Sequence, residues 1–254
     1  MEKQDIKSMT QEELRAFLVS LGEKPFRTAQ IYQWMHEKLA SSFDDMTNLS
    51  KVLRQKLQDA CEYVSLEKVR VQISQIDGTR KYLFRLADGN VIESVLMRYK
   101  HGNSVCISSQ VGCRMGCRFC ASTLDGLERN LRPSEMLDQI YQIQRDTGER
   151  VSNVVVMGSG EPLDNYDNLI RFIHLLTEEG GLHISQRNVT VSTCGLVPKI
   201  RELADQGLTI TLALSLHAPN DEVRKSLMPI ARTYALKDVL AGPVITILKK
   251  RDAA

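Results

Sequence analysis

Three of the chain's six cysteines fall within eight residues, as Cys113-Arg-Met-Gly-Cys117-Arg-Phe-Cys120; the others are Cys61, Cys106 and Cys194. A C-x3-C-x2-C array on one short loop turns three thiolates toward one centre. Thiolates are soft ligands that suit iron–sulfur clusters or zinc. A structural zinc site wants four protein ligands, and no second C-x2-C or H-x3-H follows. Cys106 could act as a fourth ligand, but it belongs to the preceding strand-like run. Three ligands without an obvious fourth suit a four-iron cluster with one iron left open to a small molecule. The competing reading is a structural or zinc-bound loop.

Other polar residues stand where strands should end. Gly158-Ser159-Gly160-Glu161-Pro162, Ser192-Thr193-Cys194-Gly195 and Ser215-Leu216-His217 each follow a short apolar run. In parallel α/β folds ligands sit beyond the carboxyl ends of the strands, so four such loops can face one cavity. The glycine loop is no dinucleotide fingerprint, because Leu163 occupies the third glycine position, and it lacks the Gly-Lys-Ser/Thr of a phosphate loop. Its glycines allow close backbone approach, and Glu161 offers a carboxylate to a cationic amine. Taken singly, Glu161 also reads as a helix-start acid, Ser192 and Ser215 as strand-end hydroxyls, and His217 more readily as a packed or capping histidine than as a ligand. Their joint placement favours a site.

The elements that must position these residues come in three kinds. Residues 1–62 read as helical, with Thr10 and Glu13 as a capping box before Leu14, Phe17, Leu18 and Leu21, and Gly22 as the stop. A second helix carries Trp34, which reads as core, and a third covers Leu49 to Leu57. Residues 64–99 alternate like a small antiparallel sheet, with turns at Asp77-Gly78 and Asp88-Gly89. From residue 103 strands and helices alternate: strand Ser104–Ser108, a helix with Ser134 as N-cap, strand Asn153–Met157, helix Leu169–Thr177, strand Asn188–Ser192, helix Pro198–Gln206, strand Thr209–Ser215, then helix from Asp221. That order predicts an α/β fold, a partial (β/α) barrel of four βα units with an N-terminal accessory domain over 1–99, a core over 100–240 and a divergent tail over 241–254. The last strand exposes an edge.

Composition excludes other classes. The 254 residues are 43% hydrophobic and 25% charged, with a net charge of +2, the profile of an average globular protein. The opening MEKQDIKSMTQEEL lacks a signal peptide's apolar stretch, and no run of eighteen apolar residues can span a bilayer. A cytoplasmic protein without a disulfide framework is expected. Between Arg98 and Arg132 six bases (Arg98, Lys100, Arg114, Arg118, Arg129, Arg132) face two acids (Asp125, Glu128), either a patch for phosphates or a mixed surface.

The cysteine loop, with Phe119 before its last cysteine, resembles the signature of radical S-adenosylmethionine (SAM) enzymes. Phe26-Arg27-x-x-Gln30-Ile31-Tyr32-x-Trp34, Ser108-Ser109-Gln110-Val111-Gly112-Cys113, Arg129-Asn130-Leu131, Gly158-Ser159-Gly160-Glu161-Pro162-Leu163 and Ser215-Leu216-His217-Ala218-Pro219 resemble the RlmN/Cfr family of RNA adenosine methyltransferases, RlmN more closely. The resemblance covers residues 10 to about 240. It implies a four-iron, four-sulfur (4Fe-4S) cluster on Cys113, Cys117 and Cys120, its open iron chelating SAM, and SAM held by Gly160, Glu161, Ser192, Ser215, Leu216 and His217. It implies Glu93 as the proton acceptor and Cys106 as the cysteine that resolves a protein–RNA adduct. The implied reaction puts a methyl group on adenine C2 in 23S rRNA and tRNA by way of a methylated carrier cysteine, with an electron donor such as flavodoxin or ferredoxin. A base attacked at C2 must be unstacked, so a loop or single-stranded target is expected.

Some of the family's pattern is missing. The carrier cysteine, in a Cys-Gly-Gln context near the family's C-terminus, does not occur, nor do strands five and six and an asparagine that contacts SAM; Ser159 stands where methionine is usual. The tail after Leu240 is expected to be a frameshifted or truncated end, leaving a chain that binds cluster and SAM but does not methylate RNA. The alternatives are another radical SAM enzyme with a different substrate and a non-catalytic, metal-stabilised RNA-binding fragment.

Overall fold

The structure is a computed structural model that describes residues 3–241, so the expectation for the tail lies largely outside the described residues. A short strand, β1 (Gln4–Asp5), leads into three helices, α1 (Gln11–Ser20), α2 (Arg27–His36) and α3 (Lys51–Ala60), and pairs in parallel with β2 (Cys61–Glu62). Thr10 and Glu13 form the expected capping box, each side chain accepting the other's backbone N–H, at 3.2 and 2.9 Å. Gly22 follows the end of α1 at a φ of +78°. The third helix starts at Lys51 rather than Leu49, because the Ser50 hydroxyl accepts the Leu53 N–H at 3.2 Å and caps it.

Four antiparallel strands come next: β3 (Glu67–Ile73), β4 (Arg80–Arg85), β5 (Val91–Tyr99) and β6 (Gly102–Ile107). A small hairpin, β7 (Gln110–Gly112) with β8 (Leu127–Asn130), holds the cysteine loop between its arms. Then β9 (Val151–Val156), β10 (Val189–Thr193) and β11 (Thr211–Leu214) join β6 in parallel. The antiparallel strands do not stand apart: β5 bonds to β6 with Val95 opposite Cys106, giving one seven-stranded sheet in the order β11-β10-β9-β6-β5-β4-β3. Each parallel strand is followed by a helix, α4 (Pro133–Thr147), α5 (Tyr166–Thr177), α6 (Val197–Asp205) and α7 (Asp221–Leu227), with a last short helix α8 (Leu236–Leu240). This is the four-unit partial barrel. Among the described residues β11 has β10 as its only neighbour, so the sheet ends there.

Period-two burial assigns the two sheet faces. Val105, Ile107, Val154, Val156, Val189 and Val191 are fully buried beneath helices, while Cys106, Val155, Thr190 and Ser192 are half-buried on the other face. On α5, Leu169, Phe172, Ile173, Leu175 and Leu176 are buried, each contributing about 1.5–3 kcal/mol.

One local expectation is corrected. Ser134 is not the cap of α4: the helix begins at Pro133, with Arg132 as N-cap. Proline suits the first helical position because it has no N–H to satisfy and its φ is preset. The Glu135 carboxylate accepts the Arg132 N–H at 2.8 Å, and Ser134, inside the first turn, donates its hydroxyl to Asp5 at 2.6 Å.

Buried polar bonds seat the N-terminal helices on α4. Lys7 Nζ, wholly buried, donates to Asp138 Oδ1 at 2.8 Å and to the Val64 carbonyl at 2.5 Å. Arg145 reaches the carbonyls of Leu39 and Ala40. His36 Nδ1 lies 2.6 Å from the Tyr141 hydroxyl. Burial, with nearby Lys7 adding to it, pushes the His36 pKa down to about 3. The unfolded chain takes up this proton below about pH 6.5, whereas the folded chain does not until about pH 3. This contribution to stability is therefore full above that upper value and is lost as the pH falls toward the lower one, with a limiting slope of about 1.4 kcal/mol per pH unit. Denaturant titrations between these limits are expected to show His36→Phe with a correspondingly flatter pH dependence. The stranded Tyr141 hydroxyl should cost about 1 kcal/mol at every pH.

Candidate active site

The carboxyl ends of β6, β9, β10 and β11 surround a cavity of about 260 Å³. Cys113, Cys117 and Cys120 border it, as do Gly160, Glu161, Ser192, Ser215 and His217, so eight of the eleven sequence-predicted residues meet there. Leu216, Glu93 and Cys106 do not line it. Among the described residues no three Cys, His, Asp or Glu side chains form the close array a single metal ion needs; the three cysteines share a wall of the cavity.

The cysteine loop is pinned at several points. The Cys113 N–H donates to the Gly126 carbonyl at 2.8 Å, the Cys120 N–H to Cys117 at 3.0 Å, and the Thr123 hydroxyl bonds the Cys117 and Cys120 carbonyls. Gly112 has a φ of +73°, and a Cβ there would stand 2.0 Å from the Gly126 carbonyl oxygen, so only glycine closes the hairpin. Burial and the neighbouring Cys113 and Cys120 push the Cys117 thiol up to about 11.

Gln110 joins this hairpin to the glycine loop, a role that its place in a motif did not disclose. Its side-chain oxygen accepts the Glu161 N–H at 2.9 Å, while its NH2 donates to Asn130 at 2.7 Å and Asp164 at 3.0 Å. Gly160, at a φ of +105°, comes so close to Gln110 that a Cβ would sit 2.6 Å from its side chain. Glu161 is 4% exposed and has no ion pair among the described residues. Its carboxylate accepts the N–H groups of Leu163 at 3.1 Å and Cys194 at 2.7 Å. Burial pushes its pKa up, and those donors oppose the shift.

Ser192 and Ser215 sit on adjacent strand ends with hydroxyls 3.3 Å apart. His217 takes a φ of +55° and lies against the exposed ring of Phe119, centroids 4.5 Å apart. Cys106 and Glu93 share the half-buried sheet face, because Val95 opposes Cys106 and Glu93 lies two residues before Val95. Cys106 adjoins the cavity through Met157, whose backbone bonds its sulfur; burial nonetheless pushes the thiol up, and Glu93 adds to this. Glu93 is ion-paired with Lys81. Sequence reading passed over Met115, Met157 and Met228, which supply apolar wall, because methionine at helical or strand spacing reads as core. Of the six bases noted between Arg98 and Arg132, four are ion-paired: Arg98 with Glu149, Arg114 with Asp164, Arg129 with Asp88 and Glu135, and Arg132 with Glu62. Lys100 and Arg118 form no ion pair among the described residues, so the patch is smaller than the count suggests.

A cysteine loop at the mouth of a partial (β/α) barrel defines a radical SAM fold, and comparison with known proteins agrees. Residues 107–242 match the radical SAM superfamily, and residues 4–63 match the ribosomal RNA large subunit methyltransferase N-terminal domain. The chain is 71% identical over 236 residues to a probable dual-specificity RNA methyltransferase RlmN from Lachnospira eligens, covering 93% of this chain and 67% of the relative. It is 64% identical over 239 residues to the protein of the same name from Lachnoclostridium phytofermentans, covering 94% and 67%. The crystal structure of a radical SAM methyltransferase from Sphaerobacter thermophilus superimposes with a TM-score of 0.91 at 40% identity, over 98% of this chain and 74% of that one. The chain therefore belongs to the RlmN family of radical SAM RNA methyltransferases, and it spans about two thirds of the length of these curated relatives.

Gln110→Ala should detach the glycine loop from the cysteine hairpin. It leaves the Glu161 N–H and its other partners unsatisfied, a loss on the order of 3 kcal/mol. Hydrogen exchange is expected to show residues 158–162 and 110–113 losing protection before the rest of the sheet.

Proposed function

We propose that Cys113, Cys117 and Cys120 hold a 4Fe-4S cluster and that Gly160, Glu161, Ser192, Ser215, Leu216 and His217 hold SAM against it. On this reading the family's reaction is methylation of adenine C2 in 23S rRNA and tRNA. The observation that carries it is convergence: three thiols, a buried carboxylate, two hydroxyls and a histidine from four separate βα loops border one cavity. The donor set fits, since three soft sulfur ligands leave one iron open. The names of the two curated relatives, each a dual-specificity RNA methyltransferase, support two RNA substrates.

When bound, the cluster with SAM supplies reductive cleavage of SAM and hence a radical; the protein orients and shields it. Glu161, held by two backbone amides, would offer its carboxylate to the amino group of SAM. Gly160 lets the backbone close on the ligand, Ser192 and Ser215 offer hydroxyls, and His217 with Phe119 covers one side. We assign Glu93 the role of proton acceptor and Cys106 that of adduct-resolving thiol, a reading supported by the sheet face the two share. Burial keeps Cys106 as the neutral thiol until it is called on. Residues 1–99 are assigned to the RNA-facing accessory region and 100–240 to the core, with a low-potential donor such as flavodoxin or ferredoxin in the cytoplasm.

Anaerobic reconstitution tests this reading. About four irons and four acid-labile sulfides per chain are expected, most of them lost in a Cys→Ser change at position 113, 117 or 120. After reduction, the loaded protein should release deoxyadenosine from SAM, and Glu161→Gln should weaken SAM binding by about tenfold or more. One zinc per chain with no iron would overturn the assignment. The 254 residues contain no Cys-Gly-Gln, so methylated RNA is not expected from this chain by itself; C2-methyladenine formed by the purified chain would overturn that part.

A further inference from the structure

Arg224 carries a positive charge that no acidic side chain among the described residues neutralises. It lies on α7, is 0% exposed, and forms no ion pair among the described residues. Its Nη2 donates to the Cys194 carbonyl at 2.6 Å, whereas Nε and Nη1 are buried without a partner among the described residues. A guanidinium does not shed its proton, and an unpaired buried charge costs several kcal/mol. A fold that keeps such a group leaves it for an anion to complete.

Its surroundings indicate which anion. The segment carrying Arg224 is seated on the cysteine loop: the Arg118 N–H donates to the Leu227 carbonyl at 2.9 Å, and Pro229 lies against Gly116. Met228 packs with Cys117 and Cys194. The Met228 N–H donates to the Arg224 carbonyl at 2.8 Å, so Arg224 shares a turn with the side chain packed on Cys117. The Cys194 peptide separates two unpaired buried charges, its N–H bonded to Glu161 and its carbonyl to Arg224. Glu161 is thereby free for a cationic ligand and Arg224 for an anionic one.

We propose that Arg224 is a positioning residue, the fixed counter-cation of the cluster, acting from behind Cys117 and Cys194 and favouring the reduced state. This rests on the cluster assignment above. A 4Fe-4S cluster on three thiolates is anionic and becomes more so when an external low-potential donor adds one electron, so a fixed positive charge beside it raises the reduction potential.

The test is a dithionite titration of the reconstituted, full 254-residue protein, read by electron paramagnetic resonance, for wild type, Arg224→Lys, Arg224→Gln and Arg224→Met. Arg224→Met and Arg224→Gln are expected to load iron but to shift the reduction equilibrium at least tenfold toward the oxidised state, about 59 mV for one electron. Arg224→Lys, which keeps the charge, should stay close to the wild-type potential. Equal potentials in all loaded variants would overturn the proposal, leaving Arg224 only a prop for the Cys194 carbonyl. If the neutral variants do not load, wild type containing nitrogen-15 arginine decides. A pulsed-resonance coupling between an arginine nitrogen and the reduced cluster, lost in Arg224→Lys, supports the proposal, and its absence from wild type overturns it. Failure of the wild type itself to bind iron and sulfide would instead refute the cluster assignment.

Discussion

Parallel register is the constraint on which the site depends. Cys106 lies opposite Val155, Val155 opposite Thr190, and Thr190 opposite Thr211. Strands locked in that register end on one side of the sheet, and each is followed by a loop before its helix. The loops then have no choice of location: the cysteines, the glycine turn, the serines and His217 meet because the hydrogen-bond ladder brings them there. The same ladder decides face. A one-residue slip of β10 would exchange Ser192 for Thr193 at the cavity and expose Val191, so the burial of Val189 and Val191 under the helices is what holds Ser192 on the open face.

Within the cavity, electrostatics rather than shape distinguishes the site from an ordinary cleft. Buried charges elsewhere in the protein are matched: Lys7 has Asp138, and Glu135 has Arg129. Among the described residues Glu161 and Arg224 are not, although the backbone of one residue, Cys194, bonds the first through its N–H and the second through its carbonyl. Two buried charges of opposite sign, kept apart by one peptide, cost more than the same two paired. Folding alone offers no return for that cost, while binding a partner of opposite sign at each does. The backbone amides on Glu161 oppose part of the upward shift that burial imposes on its carboxyl.

What could be read from the sequence and what could not divide along a physical line. The cysteine spacing, the capping box at Thr10, and the alternation of short apolar strands with helices are local patterns, and the structure carries all of them. Strand ends moved by one or two residues, since the ladder of a neighbour sets where a strand stops. Ser134 was misplaced because proline at the next position upstream competes for the start of α4, and a rule for serine caps does not weigh that competition. The continuity of the antiparallel strands with the parallel sheet depends on the β5–β6 pairing, a contact that composition does not encode. Gln110 and Arg224 stayed silent for the same reason. Each is one polar residue whose importance lies in partners far along the chain: Asp164 and Glu161 for the first, Cys194 for the second. The six-base cluster erred in the other direction, because its acids come from segments that a linear count does not reach.

Helix α4 ties the N-terminal layer to the site. One side of it, through Asp138, Tyr141 and Arg145, receives Lys7, His36 and the carbonyls before Ser41. Another side, through Gln139, accepts the Ser108 N–H at 2.8 Å and the Ser94 hydroxyl at 2.7 Å, and returns a bond to the Ser108 carbonyl at 3.0 Å. Ser108 follows the end of β6; its hydroxyl accepts the Ser159 N–H and donates to the Glu93 carbonyl. A single buried glutamine thus fixes Ser108, which launches the cysteine hairpin, and holds the strand carrying Glu93, while Ser108 in turn touches the glycine loop. Since buried polar groups of this kind are costly to leave unpaired, the accessory helices, α4 and the rim of the cavity cannot shift independently. The segment that matches an RNA methyltransferase N-terminal domain is therefore tied through α4 to the rim of the cavity.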